Sequence, residues 1–217
     1  MREAATYPGN VASRKPSGHP APTVGSSADA NTFADALSAL RAAALRPALT
    51  IEEVPAPTRL APHSVAVAGE VIPGQDPSDE PAGVGRFVIL FDPEGPEPWD
   101  GVWRAVTYAK TTMEPEVGAD PMAGEVGWSW LTEALESRSL TWAAAAGTVT
   151  SVTSVSFGAL ADRDTNVELE IRASWTPVVD EPGDLAAHLQ AWGDLLCTMS
   201  GLPPLPDGVV ALPGIRR

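Results

Sequence analysis

Few side chains in this sequence have reactive chemistry, and their spacing allows each to be judged in turn. The histidines are His19, His63 and His188, and the single cysteine is Cys197. His188 and Cys197 stand nine residues apart in a segment of helical periodicity. At about 100° per residue they fall on opposite sides of a helix, which excludes a thiolate–imidazole pair within it. Asp184 and His188 are spaced i, i+4 and share a side, as two metal ligands would. A metal site needs at least a third ligand, and none is evident in the pattern. Asp184 is better placed at a helix start, where an acid complements the dipole, with His188 bordering an apolar stripe. Cys197 reads as a buried, inert thiol.

Gly127-Trp128-Ser129-Trp130 resembles half of a nucleophile elbow, but Leu131 stands where the second glycine is required. The sequence contains no P-loop, no G-x-G-x-x-G and no H-E-x-x-H. Carboxylates group at Glu52/Glu53, at Glu94/Glu97/Asp100, at Glu114/Glu116/Asp120 and at Asp162/Asp164. Such groups can do acid–base work or hold Mg²⁺, yet solvated loops have the same composition, and that is the reading adopted. No catalytic residue, metal site or cofactor is therefore expected. The tryptophans are more informative: Trp99, Trp103, Trp128 and Trp130 are grouped, and Arg104 follows Trp103 directly. Aromatic side chains beside an arginine favour recognition, so the candidate binding set is Trp99, Trp103, Arg104 and Trp128. Trp103 and Trp130 suit a core role better; Trp99, in a proline-rich loop, suits it least.

The elements that must position these groups follow from hydrophobic period. Phe33, Leu37, Leu40 and Ala44 share one face of a helix opening at Asn31 or Thr32 and ended by Pro47. Residues 49–54 read as a short strand, and 55–62 carry three prolines that oppose regular pairing. Residues 64–72 fit either strand or helix, and 73–85 form a surface loop. In 86–91 both faces are apolar, the pattern of a central strand covered on two sides. Residues 102–111 form a strand with Trp103 on one face and Arg104, Val106 and Tyr108 on the other. After a loop around Pro115 and Pro121, 126–138 read as a helix, and 140–157 as a long strand bulged at Gly147. Val167, Leu169, Ile171, Ala173 and Trp175 alternate with polar residues, which predicts a strand with one face in water. Leu185, Leu189, Trp192, Leu196 and Met199 form the stripe of a last helix, with Gly201 as its cap and Pro203-Pro204 barring extension.

The resulting order is α-β-β-β-α-β-β-α. Strands adjacent in sequence pair antiparallel, so the expected fold is α+β: a sheet of about four to six strands packed by three helices. Residues 1–31, rich in Pro, Gly, Ser and Ala, are expected to be a disordered tail. Residues 32–217 form a single domain, extended from about 202.

Composition excludes several functions. Among 217 residues, 28 acids face 14 bases, for a formal charge of −14. Only Lys15 and Lys110 are lysines, and the arginines are scattered. A field of this sign disfavours direct nucleic-acid and anionic-membrane binding. No apolar stretch approaches bilayer length, and the first residues lack the apolar core of a secretory signal, so a soluble, cytoplasmic protein is expected.

Several segments read together carry a family resemblance: RPALTIEEVPAPTRLAPHS (46–64), GRFVILFDPEGPEPWDGVWR (85–104), VGWSWLTEALE (126–136), GTVTSVTSVSFG (147–158), EIRASWTP (170–177) and HLQAWGDLLCTMSGLPPLPDGV (188–209). Over about residues 32–210 the chain resembles an uncharacterised actinobacterial family, domain of unknown function 3000. That resemblance implies no activity, cofactor or catalytic residue. The element order also resembles that of secretion-chaperone folds, which are small, acidic, dimeric and protein-binding; this is analogy of fold alone. The expected function is that of an acidic, non-catalytic protein-interaction module, adaptor or chaperone-like. Its partner would be an unidentified protein, with homodimerisation a further expectation. The alternative is an enzyme or small-ligand-binding protein whose sheet-side pocket combines Arg59, Arg86 or Arg104 with Asp or Glu.

Overall fold

The computed structural model describes residues 27–76, 79–118, 120–202 and 204. Its elements are α1 (Ser27–Arg41), β1 (Leu49–Val54), β2 (His63–Val71), β3 (Gly83–Phe91), β4 (Trp103–Met113), α2 (Pro115–Gly118), α3 (Ala123–Glu136), β5 (Trp142–Ser154), β6 (Asn166–Pro177) and α4 (Pro182–Met199). The six strands form one sheet in the order β1-β2-β3-β4-β6-β5, and every neighbouring pair is antiparallel. The α+β reading is thus correct, and the segment that fits either strand or helix over 64–72 is strand β2, His63–Val71.

All three long helices lie on one face. α4 runs over the middle of the sheet against β2, β3, β4 and β6, with α1 on one flank and α3 on the other. The period-2 pattern of β6 sends Val167, Leu169, Ile171, Ala173 and Trp175 under these helices, all buried. The stripe of α4 meets them, with Leu185, Leu189, Trp192, Leu196 and Met199 buried in the same core. Full burial of such side chains contributes about 1.5–3 kcal/mol each and is the main force holding the layers together. Trp192 lies so close to the strands that only glycine fits below it. A Cβ on Gly69 would come 2.6 Å from its ring, and one on Gly85 3.0 Å.

Both ends of α4 follow from local chemistry. Pro182 opens the helix, and the Asp184 carboxylate accepts the backbone N–H of Glu181 at 3.0 Å. At the other end Gly201 takes φ 78°. The N–H groups of Gly201 and Leu202 then return to the carbonyls of Thr198 and Cys197, a Schellman closure.

Several boundaries differ from the sequence reading. α1 begins at Ser27, ahead of Asn31, and α3 spans Ala123–Glu136, shifted from 126–138. The loop expected over 73–85 ends sooner, because Gly83 already pairs with Thr111. α2, a single turn, replaces part of the loop near Pro115. The long strand is regular through Gly147, and its irregularity lies between Ala143 and Ala146, where Ala144 takes φ 48°. β3 is apolar on both sides, but its second side meets loops where a layer was expected. Val88 and Leu90 join Ala66 in a small cluster with Val54, Ala56, Ala61 and Trp99. Residues 1–26 and 205–217, and with them most of both expected tails and His19, lie outside the described residues.

Candidate functional site

The residues singled out for chemistry are held in structural roles. His188 is fully buried, and its Nδ1 accepts the indole N–H of Trp175 at 3.2 Å. Burial lowers its pKa to about 4, against a smaller upward pull from Asp184. Cys197 is buried, and desolvation pushes its thiol up to about 11, which keeps it protonated and unreactive. The Ser129 hydroxyl donates to the Val126 carbonyl within α3 at 2.9 Å. His63 stacks on Phe33, ring centroids 5.3 Å apart. Among the described residues no group of three or more His, Cys, Asp or Glu is placed to hold a metal ion.

The sheet divides the tryptophan–arginine set. Trp103 and Trp128 point to the helix side: Trp103 is buried against Phe91, centroids 4.3 Å apart, and Trp128 is half-buried at the rim of the same core. Arg104, one residue along β4, points to the other face, and Trp99 covers that face from the loop before β4. Trp99 and Arg104 share Thr176, whose hydroxyl donates to the Trp99 carbonyl and accepts from Arg104 Nη1.

Arg104 is only 9% exposed. Its Nη1 also donates to the Ala144 carbonyl at 3.0 Å, and Nη2 donates to Ser174 Oγ at 2.7 Å. The irregularity of β5 is what presents that carbonyl, so bulge and arginine form one unit. Among the described residues no carboxylate pairs with it, and desolvation lowers its pKa.

Beside this unit the uncovered face forms an open concavity of about 660 Å³. Strand register builds it from two rows. Arg86 stands opposite Tyr108, Tyr108 opposite Arg172, and Arg172 opposite Thr148. Val88, Val106, Ser174 and Ala146 form the next row by the same pairings. The Arg172 guanidinium lies 5.3 Å from the Tyr108 ring centroid, a cation–π contact. It also pairs with Glu170 at 2.5 Å. Desolvation first, and Glu170 second, raise the Tyr108 pKa, so the phenol stays protonated. Arg86 donates to the Pro55 carbonyl, which ties the 55–62 loop to the rim. The chemistry assembled is two planar cations, a phenol and hydroxyls around two valines. Sequence reasoning named Arg86 only as a pocket option and missed Tyr108 and Arg172. Their alternation with core residues was the available signal.

Fold and face together define the class: an open-faced, two-layer α+β protein, helices on one side of the sheet and a polar-rimmed concavity on the other. Over residues 29–210 the chain matches the family described as "protein of unknown function (DUF3000)", and it belongs to that family. No curated protein and no solved structure matches it. No helix among the described residues is long and apolar enough to cross a membrane.

Proposed function

We propose that this chain is an acidic, soluble, non-catalytic protein-interaction module, adaptor or chaperone-like, and that it binds its protein partner on the uncovered sheet face. The observation carrying this reading is the Arg86–Tyr108–Arg172 row beside Val88 and Val106 on a face without a helix layer. Tyrosine and arginine dominate binding energy at protein interfaces, and a rigid sheet presents them with little ordering cost. The groups best suited to nucleophilic or acid–base work are buried, with pKa values moved away from neutrality.

A second reading, a small-ligand site, draws on the same concavity, whose volume lies in the range such sites occupy. There Arg172 and Glu170 would supply the polar contacts.

A photo-crosslinking amino acid placed at Val106, in the concavity on the central strand β4, in cells that naturally make the protein, separates these readings. The expected result is a discrete protein-sized adduct that is absent from the same probe at Glu133, on the exposed side of α3, and lost on adding Tyr108→Ala. Adducts that ignore Tyr108→Ala, or that form equally at Glu133, would overturn the proposal. A bound mass of a few hundred daltons in native mass spectrometry would establish the second reading.

A further inference from the structure

The sheet ends differently at its two edges. β1 is six residues long, carries Glu52 and Glu53, runs into Pro55, and is tied to α1 by an Arg41–Glu53 ion pair at 2.8 Å. Short length, charge and a following proline are the usual protection of an exposed strand edge. β5, at the opposite edge, is thirteen residues long and has none of these. From Ser139 to Ala161 there is no Asp, Glu, Lys, Arg or Pro, although charged residues make up 19% of the chain. The strand keeps regular register with β6 from Ala146 to Ser154, and residues 150–155 are all exposed. Just beyond lie Phe157, 79% exposed, and Leu160, 48% exposed.

We propose that β5 pairs antiparallel with β5 of a second copy about a two-fold axis, joining two sheets into one. Charge selects this occupant. The chain carries a formal charge of −14, so an edge strand bearing acids would repel the same strand of a second copy. A copy brings the same acids, so the surface where two copies meet must be free of them, and this edge is the long one that is. Pairing gives the outer backbone N–H and C=O groups of β5 their partners. It also sets Thr148, Thr150, Ser151 and Thr153 against like residues, which pair well across strands where like charges would not. One strand pair falls short of the roughly 1,200–2,000 Å² of a stable interface. The exposed Val152, Val155, Phe157 and Leu160 extend the contact with apolar area at the strand's end. The surface is the edge of the sheet and not its face, so this inference stands or falls apart from partner binding on the face.

Sedimentation of the full chain at micromolar concentrations is expected to give twice the 22.6 kDa chain mass. Thr150→Glu and Val152→Glu, both at exposed positions, are expected to weaken the dimer by about a hundredfold with unchanged circular dichroism. Mixing Thr150→Glu with Thr150→Lys is expected to restore a dimer. A monomer throughout, or a dimer indifferent to these changes, overturns the proposal. Amide exchange in the unmodified chain gives a readout independent of variant folding. Residues 148–154 are expected to exchange more slowly as concentration rises, and exchange that ignores concentration overturns the pairing.

Discussion

Arg104 and His188 show how single residues are constrained by what burial allows. A guanidinium taken from water without a carboxylate is tolerated only when its donors are met, and here Ala144, Ser174 and Thr176 meet them from two strands. A lysine ammonium has no planar fork with which to span those three acceptors. Arg104→Lys is therefore expected to lower stability by about 1–3 kcal/mol in urea unfolding, and a variant as stable as the parent would remove the role assigned here. His188 makes a pH-dependent case. It is held neutral in the fold, with a pKa of about 4 against an ordinary 6.5, so between those values the unfolded chain binds more protons than the folded one. Its contribution is complete above pH 6.5 and is lost as the pH falls toward 4. Between pH 7 and 5 the loss amounts to about 2 kcal/mol, a span in which few exposed carboxylates titrate. His188→Gln is expected to flatten the urea midpoint across that span, and an equally steep profile in the variant would assign the acid sensitivity elsewhere.

At the scale of elements, what the sequence disclosed depends on how one-sided each element is. β6 buries one face, so its alternation gives its inward residues, whereas α4, flanked by α1 and α3 over the sheet, buries His188 and Cys197 on opposite sides in addition to the stripe that identifies it as a helix. The apolar Val88 and Leu90 imply a second covering layer on β3, yet what covers them is loop and Trp99, which leave no periodic trace. The placing of β6 between β4 and β5 is a long-range choice that no local pattern contains. Parity assigned Trp103 and Arg104 to opposite faces, but it could not say which face Trp99 or Trp128 would meet. The tightest junction between elements, α4 on β2 and β3, is also the most testable. A methyl on Gly69 would lie 2.6 Å from the Trp192 ring, which also stacks on Phe87 with centroids 5.6 Å apart. Gly69→Ala is thus expected to cost about 1–3 kcal/mol through overpacking. In a Trp192→Phe background the same change is expected to cost less, because the clashing atoms are gone. Equal costs in both backgrounds would mean that the strand shifts to make room.

For the whole molecule the controlling quantity is a formal charge of −14 on 217 residues. Repulsion among that many acids acts over distance, and salt shortens its reach from about 30 Å at 0.01 M to about 8 Å at 0.15 M. Opposing this, salt weakens the ion pairs, but Arg41–Glu53 is half-exposed or more on both sides, and exposed pairs contribute about 0–1 kcal/mol. Screening therefore wins, and the urea midpoint is expected to rise as NaCl increases from 0.01 to 0.15 M. The same sign governs self-association. Two copies approaching edge to edge each carry a net negative charge while β5 itself carries none, so salt lowers the barrier to their encounter and leaves uncharged strand pairing untouched. The dimer is expected to tighten by about tenfold over that range. Binding carried by opposite charges behaves the other way and loosens with salt. A dimer that weakens as NaCl is added would thus place the contact on charged surface and remove β5 from it, whereas one that tightens while Val152→Glu abolishes it would leave the uncharged edge as the only surface consistent with both results.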